Sequence, residues 1–179
     1  MEKQWSPVLP VTFHKGLFRM TFDVSKNHIS GFLLIKKTSD SSTSIVFSNE
    51  FGVCFFYFEV VHGKFLIRNL FPSFNRKSLV SLLEQDFRLI LFPDASFKKI
   101  KVMPAPDSTI RCFKISARQG SFLYEVIRKT KEITEIRTIY TMFRKTIISP
   151  DHYSEGIPWT IRIFHPIQGI MMKISYLSP

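Results

Sequence analysis

Two stretches of this sequence, FLLI (32–35) and VCFFYF (53–58), are apolar at successive positions, so a strand built from either is apolar on both faces. An antiparallel strand with one wet face alternates apolar and polar residues instead. Both sides of these strands must therefore be covered. An amphipathic helix further along the chain can cover one side. The other is left to loops and a second β region, or to a bound apolar molecule, since small-molecule sites are usually concave and apolar.

The strands themselves follow from composition and turn signals. Phe accounts for 19 of 179 residues while Ala, the best helix former, occurs only three times, which tilts the chain toward β structure. After an irregular lead-in over 1–16 with Pro7 and Pro10, strand-like runs occupy 17–24, 29–37, 44–50, 53–61 and 64–69. His62-Gly63 is a hairpin turn, because Gly63 can take the positive φ such turns require. The loops are too short for parallel crossovers, so these runs form an antiparallel meander.

The period then changes. Over 75–91, Leu79, Leu82, Leu83, Phe87, Ile90 and Leu91 recur at helical spacing, with Asn75 as N-cap and Pro93 as the stop. Residues 93–109 read as loop, with Pro93, Pro104, Pro106 and the basic cluster Lys98, Lys99 and Lys101. A second β region follows over 109–117, 121–129, 132–140 and 142–149. After a loop at 150–158 come strands at 159–165 and 170–177. The expectation is one domain over 1–179, mainly β (α+β): a curved antiparallel sheet or half-open barrel of about ten strands, with one amphipathic helix packed on it.

Function classes narrow by elimination. There is no nucleophile elbow, phosphate loop or dinucleotide fingerprint. His14, His28, His62, His152 and His165 never stand four apart on a helix, so no metal is expected. Asp151-His152-Tyr153 reads as a loop entry, and Glu84 and Asp86, two apart on the helix, face different ways. The expectation is a non-enzyme without cofactors. Cys54 and Cys112 sit in apolar runs and read as buried free thiols, with one long-range disulfide as the alternative.

The formal charge of +11 is spread over both halves of the chain. It suits an anionic membrane surface or an acidic protein partner, and equally serves solubility. Nucleic acid is not expected, because the Phe residues cluster with Leu, Ile and Val rather than interleaving with Lys and Arg. The N-terminus carries no apolar signal-peptide core as written, and the apolar runs are far too short to span a bilayer.

Two longer stretches carry a resemblance. SGFLLIKKTSDSSTSIVFSNEFGVCFFYFEVVHGKFLIRNLFPSFNRKSLVSLLEQDF resembles a group of uncharacterised cell-envelope lipoproteins from Bacteroidetes-type bacteria. The segment DHYSEGIPWTIRIFHPIQGIMMKISYL is similar to the closing β-hairpin of that group. The group is similar in architecture to the lipoprotein-sorting carriers LolA and LolB, in which helices close an incomplete β-barrel over an apolar cavity. The resemblance covers roughly 16–92 and 141–179, and implies a periplasmic or outer-membrane location.

Two functions remain in view. The first is a non-catalytic envelope protein holding a lipid, acyl chain or other hydrophobic ligand in a half-barrel cavity. Its wall would be Phe32, Leu34, Phe47, Phe56, Phe58 and Phe65, an assignment that a one-residue register change would reverse. The second is a structural or adaptor β-protein with a filled core, acting on an acidic partner or polyanion through its basic surface.

Overall fold

The computed structural model describes residues 6–24, 26–91, 97–117, 120–139 and 145–178. The first half of the chain forms β1 (Lys15–Val24), β2 (Asn27–Ser39), β3 (Ser42–Ser48), β4 (Cys54–Val61) and β5 (Lys64–Leu70). A 3-10 turn (Pro72–Phe74) leads into the helix α1 (Lys77–Leu91). The second half forms β6 (Phe97–Met103), β7 (Ile110–Ala117), β8 (Gly120–Ile127) and β9 (Ile133–Ile139). It closes with β10 (Ile147–Ser154), β11 (Ile157–His165) and β12 (Ile170–Ser178).

All twelve strands belong to one sheet, in the order β5-β4-β3-β2-β1-β12-β11-β10-β9-β8-β7-β6. Every neighbour pair is antiparallel. Each half of the chain is thus a meander, and the two join where the first strand pairs the last, Val24 facing Ile170 and Met20 facing Ile174. The edges, β5 and β6, do not pair with each other, so the sheet stays open. The helix links one edge to the other in sequence and lies across the face they bound. This is the mainly β, half-open architecture with one helix that the sequence predicts.

Alternation sets that face. Phe18, Met20 and Phe22 on β1, Leu33 and Ile35 on β2, and Ile161, Ile163 and His165 on β11 are buried, while the residues between them are more exposed. From the helix, Leu82, Leu83, Phe87, Leu89 and Ile90 meet them. Arg88 clips the helix to the β4–β5 turn. It donates to the Gly63 carbonyl at 2.8 Å, pairs with Glu84 and lies over the Phe65 ring. In that turn His62 and Gly63 both have positive φ, as the hairpin reading requires.

Several boundaries differ from expectation. The lead-in is irregular but far from peripheral: Val8, Leu9 and Phe13 are buried in the core, and the Leu9 N–H donates to the Ile90 carbonyl at 3.3 Å. The helix starts at Lys77, because Asn75 ends the 3-10 turn with its N–H on the Pro72 carbonyl. Residues 97–103 form an edge strand rather than loop. Lys99 and Lys101 alternate with Ile100 and Val102, a pattern that flanking prolines disguise. Nor is 150–158 a loop, since β10 continues to Ser154 and pairs with β11. Pro150 is tolerated there because β9 pairs β10 only at Ile147 and Ile148. Pro93, residues 118–119 between two of the expected strands, and 140–144 lie outside the described residues.

Gly31 marks the tightest crossing. A Cβ there would stand 2.2 Å from the Ser48 carbonyl oxygen, a backbone atom that cannot swing aside. Gly31→Ala should therefore destabilise the fold by about 1–3 kcal/mol or more, read from urea denaturation. An unchanged midpoint would contradict the β2–β3 register.

Candidate functional site

The space between sheet and helix is largely filled by aromatic rings. Phe47, Phe56, Phe58, Phe74 and Phe87 are all buried. Phe56 stacks on Phe58 with centroids 4.6 Å apart and packs edge-on against Phe74 and Phe87. Phe65 leans on Phe58 at 4.8 Å. Four of the six residues chosen from sequence as a cavity wall, Phe47, Phe56, Phe58 and Phe65, thus share the helix-facing side. Phe32 and Leu34 do not. Leu33 pairs with Phe47 and Leu34 with Val46, which turns Phe32 and Leu34 to the outer face, where Phe32 carries the Arg19 guanidinium.

Room remains at both ends of the helix, and none of those six residues lines it. At one end the β2–β3 and β4–β5 turns, the lead-in and the end of α1 enclose about 330 Å³. Leu9, Val11, Phe13, Ile35, Val60 and Leu91 form its apolar wall, with Lys37, Asp40, His62 and Arg88 among its polar groups. Its cations are engaged: Lys37 donates to the Val11 carbonyl, and Arg88 is held as described above. At the other end the β1–β2 turn, the 3-10 turn and the start of α1 enclose about 460 Å³. Phe22, Val24, Ile29, Phe74 and Leu79 make an apolar floor there, and Lys26, His28 and Arg76 stand around it.

The β3–β4 turn belongs to that second end of the sheet. Its tip, Phe51, is 91% exposed. Asn49 fixes the turn from within, its Oδ1 accepting from the N–H groups of Phe51 and Val53 at 3.0 and 2.9 Å. Val53, two residues on, is exposed, and so is Phe71, which meets Phe55 edge-on.

One polar cluster crosses the core. Asp86 of α1 meets His165 of β11, Oδ2 to Nε2, at 2.8 Å. The Nδ1 of His165 lies 3.1 Å from the Thr146 hydroxyl, which also accepts from the Gln85 amide at 3.5 Å. The contacts form one continuous chain from the Gln85 amide through the Thr146 hydroxyl and the His165 ring to the Asp86 carboxyl. The order hydroxyl, imidazole, carboxylate looks like a relay for nucleophilic catalysis. Thr146 is 2% and His165 1% exposed, however, and neither lines either of the two openings. The cluster ties the helix to the sheet. Sequence reasoning missed it because the partners are far apart in the chain, although Asp86 inside an apolar stripe was the available signal. Glu84 and Asp86 do diverge as expected, Glu84 toward Arg88 and Asp86 inward.

The other sequence candidates stay apart. Asp151 and His152 lie on β10, where His152 takes a positive φ and points to solvent, and Arg162 approaches Asp151 at 3.7 Å. The Tyr153 hydroxyl is spent on the Ile133 carbonyl. Among the described residues no group of three His, Cys, Asp or Glu is placed to hold a metal. Cys54 and Cys112 are both free, Cys112 buried and Cys54 half-buried.

No family model matches the chain, and no curated protein does. Solved structures do. A LolA superfamily protein from Nitrosomonas europaea overlays 98% of this chain and 86% of its own at a TM-score of 0.68, with 9% identity. The fold is LolA-like. A domain from Vibrio parahaemolyticus described as an outer membrane lipoprotein-sorting protein overlays 90% of this chain and 82% of its own (TM-score 0.56, 7% identity). A DUF1329 family protein from Desulfovibrio piger overlays 93% and 85% (TM-score 0.53, 10% identity). At such identities the LolA-like likeness is one of architecture.

Burial pushes the Asp86 carboxyl above its usual range, and the hydrogen bond and charge of His165 offset only part of that. A raised carboxyl binds its proton more tightly folded than unfolded. Its contribution is therefore greatest below about pH 4 and is lost as pH rises through the elevated folded value. Measured against Asp86→Asn, wild-type stability in urea should fall as pH is raised from about 4 to 8. A constant difference between the two proteins, or one that grows with pH, would contradict this.

Proposed function

We propose that this chain is a non-catalytic binding protein of a bacterial cell envelope, akin to the Bacteroidetes-type lipoproteins its sequence resembles. It holds a lipid, acyl chain or other hydrophobic ligand against the helix-facing side of the sheet. The observation that carries this reading is the larger opening, whose apolar floor lies between β1, β2 and the start of α1. Its 460 Å³ falls within the range of sites that bury small molecules. Affinity would come from apolar burial at about 25 cal/mol per Å², less the cost of ordering the ligand. No bond is made or broken.

The same end suits work at a membrane surface. Phe51 and Phe71 can enter the headgroup region beside the opening, and the net charge of +11 draws the protein to anionic lipid. Among the described residues no helix is long and apolar enough to cross a bilayer.

The filled-core adaptor has one observation in its favour. Phe47, Phe56 and Phe58 are fully enclosed, so the middle of the molecule has no space for a ligand. Uptake of the neutral fluorophore N-phenyl-1-naphthylamine separates the two readings. Leu79→Trp should fill the larger opening and reduce uptake several-fold, while the urea midpoint shifts little. Equal uptake by both proteins, or none by either, would favour the adaptor.

A further inference from the structure

The larger opening says something about its ligand beyond hydrophobicity, on the condition that the carrier reading holds. We infer that its ligand is an anionic amphiphile, an acyl chain ending in a carboxylate or phosphate, whose head is bound between Lys26 and Arg76. The two cations come from different elements, Lys26 from the β1–β2 turn and Arg76 from the residue before α1, and both line the opening above its apolar floor. Neither has an acidic partner among the described residues. Asp23, three residues before Lys26, is occupied by His28. The first turn of α1 holds no acidic residue, so the positive end of the helix dipole is left unbalanced and is reinforced by Lys77.

The opposite opening is the internal comparison. It too has an apolar wall and two cations, but Lys37 is spent on the Val11 carbonyl, Arg88 on Glu84 and the Gly63 carbonyl, and Asp40 stands in the lining. Charge there is satisfied by the protein. At the larger opening it is left for something else, and the site is shaped for an apolar tail directly beneath. Free fatty acids and lipids with a phosphate head present the same chemistry, a chain with a terminal anion.

The test is calorimetric titration with four single-chain compounds below their micellar concentrations: dodecanoate, dodecyl phosphate, dodecyl maltoside and dodecyltrimethylammonium. The anionic pair should bind at least ten-fold more tightly than the maltoside, with the cation weakest, and added salt should narrow the gap. Lys26→Gln combined with Arg76→Gln should bring the ratio of anionic to maltoside affinity close to one. Whichever anion binds tighter identifies the source, carboxylate for a free fatty acid and phosphate for a phospholipid. Maltoside binding as tightly as the anions, or a preference that survives in the double variant, would overturn the inference and leave the carrier reading standing. No binding by any of the four would overturn both.

Discussion

A sheet of twelve strands has one face to hide and only a fifteen-residue helix to hide it. Everything else in the structure follows from that mismatch. The helix covers the middle, where Leu83, Phe87 and Ile90 meet the Phe-rich centre of β3 and β4. Beyond its reach the chain improvises cover. The lead-in inserts Val8, Leu9 and Phe13 at one end, and the 3-10 turn inserts Phe74 at the other. The high Phe content now has a physical reason, since large rings fill space that short helices leave. Where cover runs out, at the two ends of the helix, the openings remain.

Side-chain polar contacts hold that single helix in place at two points. Arg88 secures its end to the β4–β5 turn, and the Asp86–His165–Thr146 cluster fixes its middle to the far half of the sheet. The second is a costly anchor, because one Asp86 oxygen is buried without a partner among the described residues. Such an arrangement specifies one docking position among the many that apolar surfaces would accept.

Local signals made much of this legible in sequence. The helical stripe over 79–91, the His62-Gly63 turn and the antiparallel meander each rest on residues adjacent in the chain, and each is where the sequence puts it. What failed depended on partners distant in sequence. FLLI is apolar on both sides, so only its pairing with β3 decides that Leu33 and Ile35 go inward and Phe32 and Leu34 outward. Residues 97–103 become a strand because β7 offers an edge, and the flanking prolines hide the short local alternation. The site was the least legible part. The enclosed Phe residues drew attention as a wall, whereas the accessible floor is made by Phe22, Val24, Ile29, Phe74 and Leu79, from β1, β2 and the entry to the helix.

The central claim is that the open end of this LolA-like fold carries an apolar ligand. Native mass spectrometry of freshly purified protein, followed by organic extraction, tests it most directly. The account predicts a near-stoichiometric apolar adduct that leaves on extraction and returns when lipid is added. A single unliganded mass that does not change on incubation with lipid would contradict it.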